Sequence, residues 1–554
     1  MTDIRAHRAR HSGAAFRITT HRQTDRSSGL AVVARAWLVA VAVLLGAWRP
    51  VHSSEVGSPQ DAYDAITELE LERAAGLIAN LPSDRGLGAL LRARLLLYRG
   101  DCVAANTALS AQHVRALPEV AELGELARSC AGATASALVV EDRERGVWLR
   151  FQDEKDRVLT ELFVQVAVRA RDSLARDLAV VLPRPLRIDV VRDQFSLATV
   201  SGLPLQAAQT TGTVAVARWG RVIMVSPRAM RSGFPWQDTL AHEMTHLAIS
   251  RASRDHAPLW LQEGIAKREE AAWRAPRPLD ARTSYTDQAR AALSSGSEVG
   301  IDRLGPSIAM LPTPEDASTA YAEVASFVEF WIRENGLPGL ALLLLDLKTM
   351  KGPEDADRAL RSVTGYALES WIARWKLYLS STTGEPREAW AQDDDGKPSP
   401  DLVGAIRLGD LLVARGFAPA AAVPLAEAVR AAPELASVRA RLAQALFDAG
   451  RRNEASDALG QVQELDGLHA GWLASRGRVL LSEGDREGAS GAFDLALGIQ
   501  PLLPEAACGN ARLRESQARG VQKVQISVSD QATGSMSAAS AQALCAEAEA
   551  WRRR

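Results

Sequence analysis

The sequence predicts a multidomain, mainly helical protein. A central α+β domain, a small β-sheet followed by helices, is flanked by an N-terminal helical region and a C-terminal all-α repeat array. Three observations predict this. β-rich segments cluster between residues 137 and 225, and helical spacing takes over from about 235 to 380. A 34-residue period runs through 402–501. Between the two, Thr383–Asp401, which includes the run DDDGKPSP, reads as a linker.

A chain of 554 residues has room for about three or four domains. Hydrophobic residues make up 47% and charged residues 24%, which excludes a largely disordered chain. The net charge is −2, but residues 1–50 carry +6, leaving −8 for the rest. An acidic body argues against nucleic-acid binding, since phosphate recognition needs a basic surface.

The basic head belongs to an export signal. Residues 36–48 (AWLVAVAVLLGAW) are thirteen uncharged, mostly apolar residues between a basic stretch and Arg49-Pro50. That is short for a membrane span and suits a signal-peptide core, with cleavage expected near Val51-His52-Ser53. An uncleaved N-terminal membrane anchor is the alternative. Residues 1–53 are therefore set apart, and the protein is expected in the periplasm or outside the cell. Four cysteines agree with export: Cys102 and Cys130, Cys508 and Cys545 fall as two local pairs that an oxidising compartment would join. Four buried free thiols are the alternative.

Residues 55–134 read as helical, with apolar spacing over Leu69–Leu81 and Leu87–Leu97 and a break at Gly100-Asp101. They resemble a degenerate helix-turn-helix repeat. Within 135–382, strands are expected at Ala137–Val140, Val147–Phe151, Leu186–Val191 and Val214–Val225. The last is a hairpin with Trp219-Gly220 at its turn, and a long amphipathic helix over about 158–179 separates the second and third segments.

In 402–510 the period can be followed residue by residue. Gly416, Gly450 and Gly484 are 34 apart, as are Ala421, Ala455 and Ala489. Gly409, Ala443 and Gly477 keep a small residue, and Ala428, Val462 and Ala496 stay in register. Leu412, Leu446 and Leu480 keep one large residue, and Leu425, Leu459 and Phe493 another. Pro433, Gly467 and Pro501 mark the breaks. Small residues let paired helices approach, and large ones fill the space between pairs. The pattern resembles the tetratricopeptide (TPR) repeat, which implies a solenoid whose concave face takes a peptide or partner protein. Residues 511–554 form a low-complexity tail with a final helix expected at 538–552.

Residues 242–246 read His-Glu-Met-Thr-His, on a helix expected to start near Pro235. At i and i+4 the two imidazoles share one face and can share a Zn²⁺, and Glu243 can take a proton from water at the metal. A third ligand is needed. Outside the export region the only other histidines are His113, His256 and His469. Position 252 is alanine, which excludes the metzincin arrangement; His256 is followed directly by a Pro-containing turn. Glu263, in PLWLQEGIA, is the stronger candidate. Pro258 suits the start of a second helix, and seventeen residues from His246 allow an antiparallel return. Glu269 and Glu270, one to two turns further along, are expected to lie too far away.

HEMTH followed by PLWLQEGIA resembles the gluzincin metallopeptidases, specifically the thermolysin-related peptidase MA-like domains. Tyr321–Trp331 with Glu334-Asn-Gly336, and Gly365–Trp375, resemble that family's later helices. The resemblance implies one zinc held by His242, His246 and Glu263, with Glu243 as general base for hydrolysis of a peptide or protein substrate. It also implies a residue that stabilises the oxyanion: Tyr321 is the candidate, with Tyr285 and His256 in reserve. The hairpin 214–225 would offer an edge strand to an extended substrate, or simply pack in the core. A competing reading makes the chain a TPR scaffold with an inactive peptidase-like domain, against which the intact set of four residues argues. A purely structural zinc leaves Glu243 without a purpose.

Overall fold

A computed structural model describes residues 58–81, 86–110, 118–230, 233–274, 284–305, 307–350, 355–382, 400–433, 436–460, 470–521 and 536–553. Residues 1–57, which include the stretch read as an export signal, most of the expected linker, His113, His469, Val462 and Gly467 lie outside the described residues. The described chain is mostly helical around one small mixed sheet. Among the described residues, no helix is long and apolar enough to cross a membrane.

Among the described residues, five helices precede the sheet: α1 (Pro59–Thr67), α2 (Leu71–Ala79), α3 (Gly86–Tyr98), α4 (Cys102–Leu109) and α5 (Pro118–Thr134). The central region then alternates. β1 (Leu138–Asp142) and β2 (Val147–Phe151) form a hairpin, α6 (Thr160–Asp177) crosses over, and β3 (Leu186–Val191) follows. Two short helices, α7 (Gln194–Ser201) and α8 (Leu205–Thr211), lead to β4 (Ala215–Arg218) and β5 (Arg221–Val225). Trp219 and Gly220 both have positive φ, the type I′ geometry that matches the twist of a two-residue hairpin.

The strand order is β1-β2-β3-β5-β4, with β2, β3 and β5 parallel and an antiparallel strand at each edge. Parallel strands need cover on both faces, and β5 shows how this is met. Val222 and Met224 join the core with Phe163 and Leu240, while Ile223 and Val225 join a second core with Cys102, Cys130 and Leu197. Helices α3, α4 and α5 thus close one face of the sheet, while α1 and α2 pack with the first core. A buried charge cluster joins α3 and the turn after it to the sheet. The Asp189 carboxylate accepts from Arg150 Nε (2.7 Å) and Arg221 Nε (2.7 Å), while Arg150 also donates to Gly100 O (2.6 Å) and Arg221 to Leu97 O. Burial favours the neutral acid, but the two guanidinium groups prevail and hold the Asp189 carboxyl below its ordinary range. The Cys102–Cys130 disulfide ties α4 to α5 on the same face.

The helical part of the central region comprises α9 (Trp236–Ser253), α10 (Leu259–Ala272), α11 (Tyr285–Ser295), α12 (Pro314–Lys348, broken at Gly336), α13 (Ala356–Thr364) and α14 (Leu368–Ser381). The C-terminal region stacks α15 (Pro400–Ala414), α16 (Ala418–Ala431), α17 (Ala436–Asp448), α18 (Arg452–Gly460), α19 (Ala470–Glu483), α20 (Arg486–Ile499), α21 (Pro504–Val521) and α22 (Ala538–Arg552). The period has a physical basis here. Gly416, Gly450 and Gly484 all turn the chain with φ of 80–90°, a region that disfavours side chains. Ala421, Ala455 and Ala489 are fully buried. A Cβ on Gly409 would sit 2.4 Å from Leu425, and one on Gly477 2.6 Å from Phe493, so a small residue faces a large one in register. The Cys508–Cys545 disulfide fastens α22 to α21.

Candidate metal centre

Helix α9 follows Pro235 and has Asp238 in its first turn and Arg251 in its last, charges that suit the helix dipole. Apolar residues bury it on several sides: Leu240, Met244 and Ile249 are all in the core. Pro258 caps α10, which returns antiparallel along α9. Gly264 sets how closely α10 lies on α12, since a Cβ there would be 2.4 Å from Val328 Cγ2 and 2.6 Å from Val324 O. Phe327 packs edge-on against Trp260 and Trp375, and Ser326 Oγ accepts from Trp375 Nε1 (3.1 Å). The segments 321–331 and 365–375 therefore form the packing that seats Glu263.

Three donor atoms converge. His242 Nε2 and His246 Nε2 are 3.2 Å apart, and Glu263 Oε2 lies 3.5 Å from the first and 3.8 Å from the second. Ligands about 2.0–2.1 Å from a tetrahedral zinc ion stand roughly 3.3–3.4 Å from one another, so the spacing fits. Glu263 Oε2 is buried without a hydrogen-bond partner among the described residues, a costly state that a cation would relieve. The donor set, two imidazoles and a carboxylate, also suits zinc. Glu243, on the same helix, is buried beside them.

Surrounding charges tune the imidazoles. Burial alone would depress His242, but Glu263 on one nitrogen and Glu270 on the other overcome it and raise its pKa to about 9. For His246, burial prevails and the pKa falls. Burial works against ionised Glu263, yet the two histidines hold its carboxyl below the usual range.

Glu270 corrects one expectation. Its place in the sequence puts it too far along α10, but its Oε2 stands 3.4 Å from His242 Nδ1. Because α10 runs antiparallel to α9, each further turn moves toward the His242 end, and seven residues bring the same face round again. Tyr285 Oη donates to Glu270 Oε1 (3.1 Å), and Lys267 Nζ donates to Oε2 (3.0 Å). Glu269 faces elsewhere, paired with Arg268. A carboxylate seven residues after Glu263 was the signal available in the sequence.

Tyr321 lies beside the cluster, with Lys267 Nζ 4.9 Å over its ring. Burial, and after it the charges of Glu263, Glu243 and Glu270, push its phenol up, so it stays protonated at neutral pH. His256 is elsewhere: its Nδ1 is 3.1 Å from Leu347 O, so it serves neither as ligand nor as oxyanion donor. No family model matches the chain, and no curated protein matches its sequence.

Proposed function

We propose that the protein is an exported, zinc-dependent metallopeptidase whose His242, His246 and Glu263 hold one metal ion. The spacing of the three donor atoms, with the orphaned Glu263 oxygen among them, carries this reading. A bound zinc would polarise the scissile carbonyl and lower the pKa of water at the site. Glu243 would take the proton of the attacking water and deliver it to the leaving amine. Tyr321, protonated and flanking the cluster, would donate to the developing oxyanion. Glu270 would accept from His242 Nδ1–H, so that Nε2 faces the metal.

Strand β4 supports a peptide substrate. It is an edge strand packed on α9. Val214 O accepts from Val225 N (2.7 Å), so pairing with β5 uses Val214, Val216 and Arg218 and turns the backbone groups of Ala215 and Ala217 to the open edge. An extended peptide would add there as a further strand. The cysteine pairs support an oxidising compartment. The helical array, read as TPR repeats, would engage substrate or a partner protein on its concave face.

The test is metal content and peptide hydrolysis of the wild type, Glu263→Ala and Glu243→Ala. The expected result is about one zinc per chain, lost in Glu263→Ala and kept in Glu243→Ala, with hydrolysis falling by about 10²–10⁴ in the latter. A wild type that takes up no zinc under metal-replete, neutral conditions overturns the reading.

A further inference from the structure

The last turn of a helix leaves carbonyl groups with no partner inside the helix. At the end of α20 those carbonyls are taken up by the residues that lead into α9. Leu497 O accepts from Trp236 Nε1 (2.9 Å), and Ile499 O accepts from Phe234 N (3.1 Å). Gln500 Nε2 donates to Met230 O (3.1 Å) in the same loop. The two backbones approach as closely as they can. Gly233, at φ 71°, faces Ile499 O, where a Cβ would be only 2.4 Å away, and a Cβ on Gly498 would be 2.6 Å from Gln237 Oε1. The carbonyl end of α20 thus abuts the amide end of α9, an arrangement that also favours both helix dipoles.

Trp236 is the centre of this contact. It is 0% exposed, and its ring lies 4.8 Å from Phe163 of α6. Six residues, under two helical turns, separate it from His242. The far end of α9 is held by the other flanking region: Glu68, which follows α1, pairs with Arg254 (2.5 Å) and Lys348 (2.8 Å), and its backbone carbonyl accepts from Arg251. His242, Glu243 and His246 all ride on α9, whereas Glu263 is on α10. Any shift at the entry of α9 therefore moves three members of the cluster against the fourth, and displacements of about 1 Å can cost about a hundredfold in rate.

We infer that the end of the repeat array is a positioning element of the metal centre, with the α20 carbonyls fixing the entry of α9 through Trp236. Its catalytic consequence rests on the metallopeptidase reading; its mechanical content does not. The experiment uses the full chain with two variants. Trp236→Phe keeps an aromatic ring but removes the N–H together with the pyrrole part of the indole. Gly233→Ala presses a methyl group against the Ile499 carbonyl. Hydrogen exchange is followed across residues 236–246, with α14 and α17 as internal references, alongside zinc affinity by chelator competition and kcat against KM.

The expected result for both variants is about tenfold faster exchange in the first two turns of α9, the effect of losing one hydrogen bond, with unchanged references. Zinc affinity and kcat fall about three- to tenfold while KM stays within twofold. Wild-type exchange in α9 overturns the inference, and so does an equal loss of protection in α14 and α17, which would mark general destabilisation. Should Gly233→Ala fail to fold, Trp236→Phe decides. Should the wild type bind no zinc, the metallopeptidase reading fails on its own, and the exchange data still decide whether α20 holds α9.

Discussion

Glu270 Oε2 stands 3.4 Å from His242 Nδ1, at the ring nitrogen opposite the one that faces Glu263. One histidine is thus held between two carboxylates of a single helix. Replacing Glu270 by Gln keeps the volume and removes the charge. Zinc affinity is expected to fall about 10- to 100-fold, as for other outer partners of metal-bound histidine. Chelator competition measures this, and unchanged affinity would show that Glu270 does not support the ligand.

The same pair of carboxylates sets a proton balance. Metal-free His242 has its pKa raised to about 9, against an ordinary value of 6.5. Its charged form therefore adds stability that is fully present below 6.5 and lost as pH rises through 9. Zinc requires the neutral ring, so uptake at pH 7.5 is expected to release about one proton, and this release disappears above pH 9. Calorimetry in two buffers of different ionisation enthalpy reads it directly; equal enthalpies at pH 7.5 would contradict it.

Glu269 predicts a stability change of the opposite kind. Burial raises its pKa to about 7, Arg268 opposing, and one carboxylate oxygen has no hydrogen-bond partner among the described residues. An acid with a raised folded-state pKa costs nothing below its unfolded value near 4.5 and progressively more up to about 7. Glu269→Gln is expected to stabilise the protein at pH 8 by on the order of 1–3 kcal/mol and to leave it unchanged near pH 4.5. Thermal melts at the two pH values provide the comparison.

Asp189 lies between two buried arginines, with Arg221 0% exposed. Asp189→Asn leaves two buried cations without their counter-charge, and a loss of about 3–5 kcal/mol is expected. Urea unfolding followed by tryptophan fluorescence measures it. A loss below about 1 kcal/mol would mean that the backbone carbonyls of Leu97 and Gly100 suffice for both arginines.

Much of this architecture was legible in local chemistry. The strand at Val147–Phe151 follows from its β-rich composition and the Trp219-Gly220 turn from turn geometry, and the final helix begins at Ala538. The 34-residue period was legible because Gly409 and Gly477 must be small where Leu425 and Phe493 are large. Glu263 could be reached from Pro258 and the length of chain after His246. Other features were not legible. Helices α7 and α8 are too short to show a period, though Asp193 and Gly202 cap the first of them. Glu270 was missed because its distance from His242 depends on the direction of α10, not on its separation in sequence. The partners of Trp236 and Glu68 could not be read at all, since nothing local to Leu497 or Arg254 marks what it meets.

The bond from Trp236 to Leu497 spans 261 residues of chain. During synthesis, the histidines and Glu243 leave the ribosome long before the carbonyl that secures their helix has been made. Translation at about 5–20 residues per second puts that interval at roughly 13–50 seconds. A product cut short before residue 497 therefore carries His242, Glu243, His246 and Glu263 but lacks the brace for α9, the helix that bears three of these four. Completion of the polypeptide thus becomes a condition for a finished cluster of His242, Glu243, His246 and Glu263.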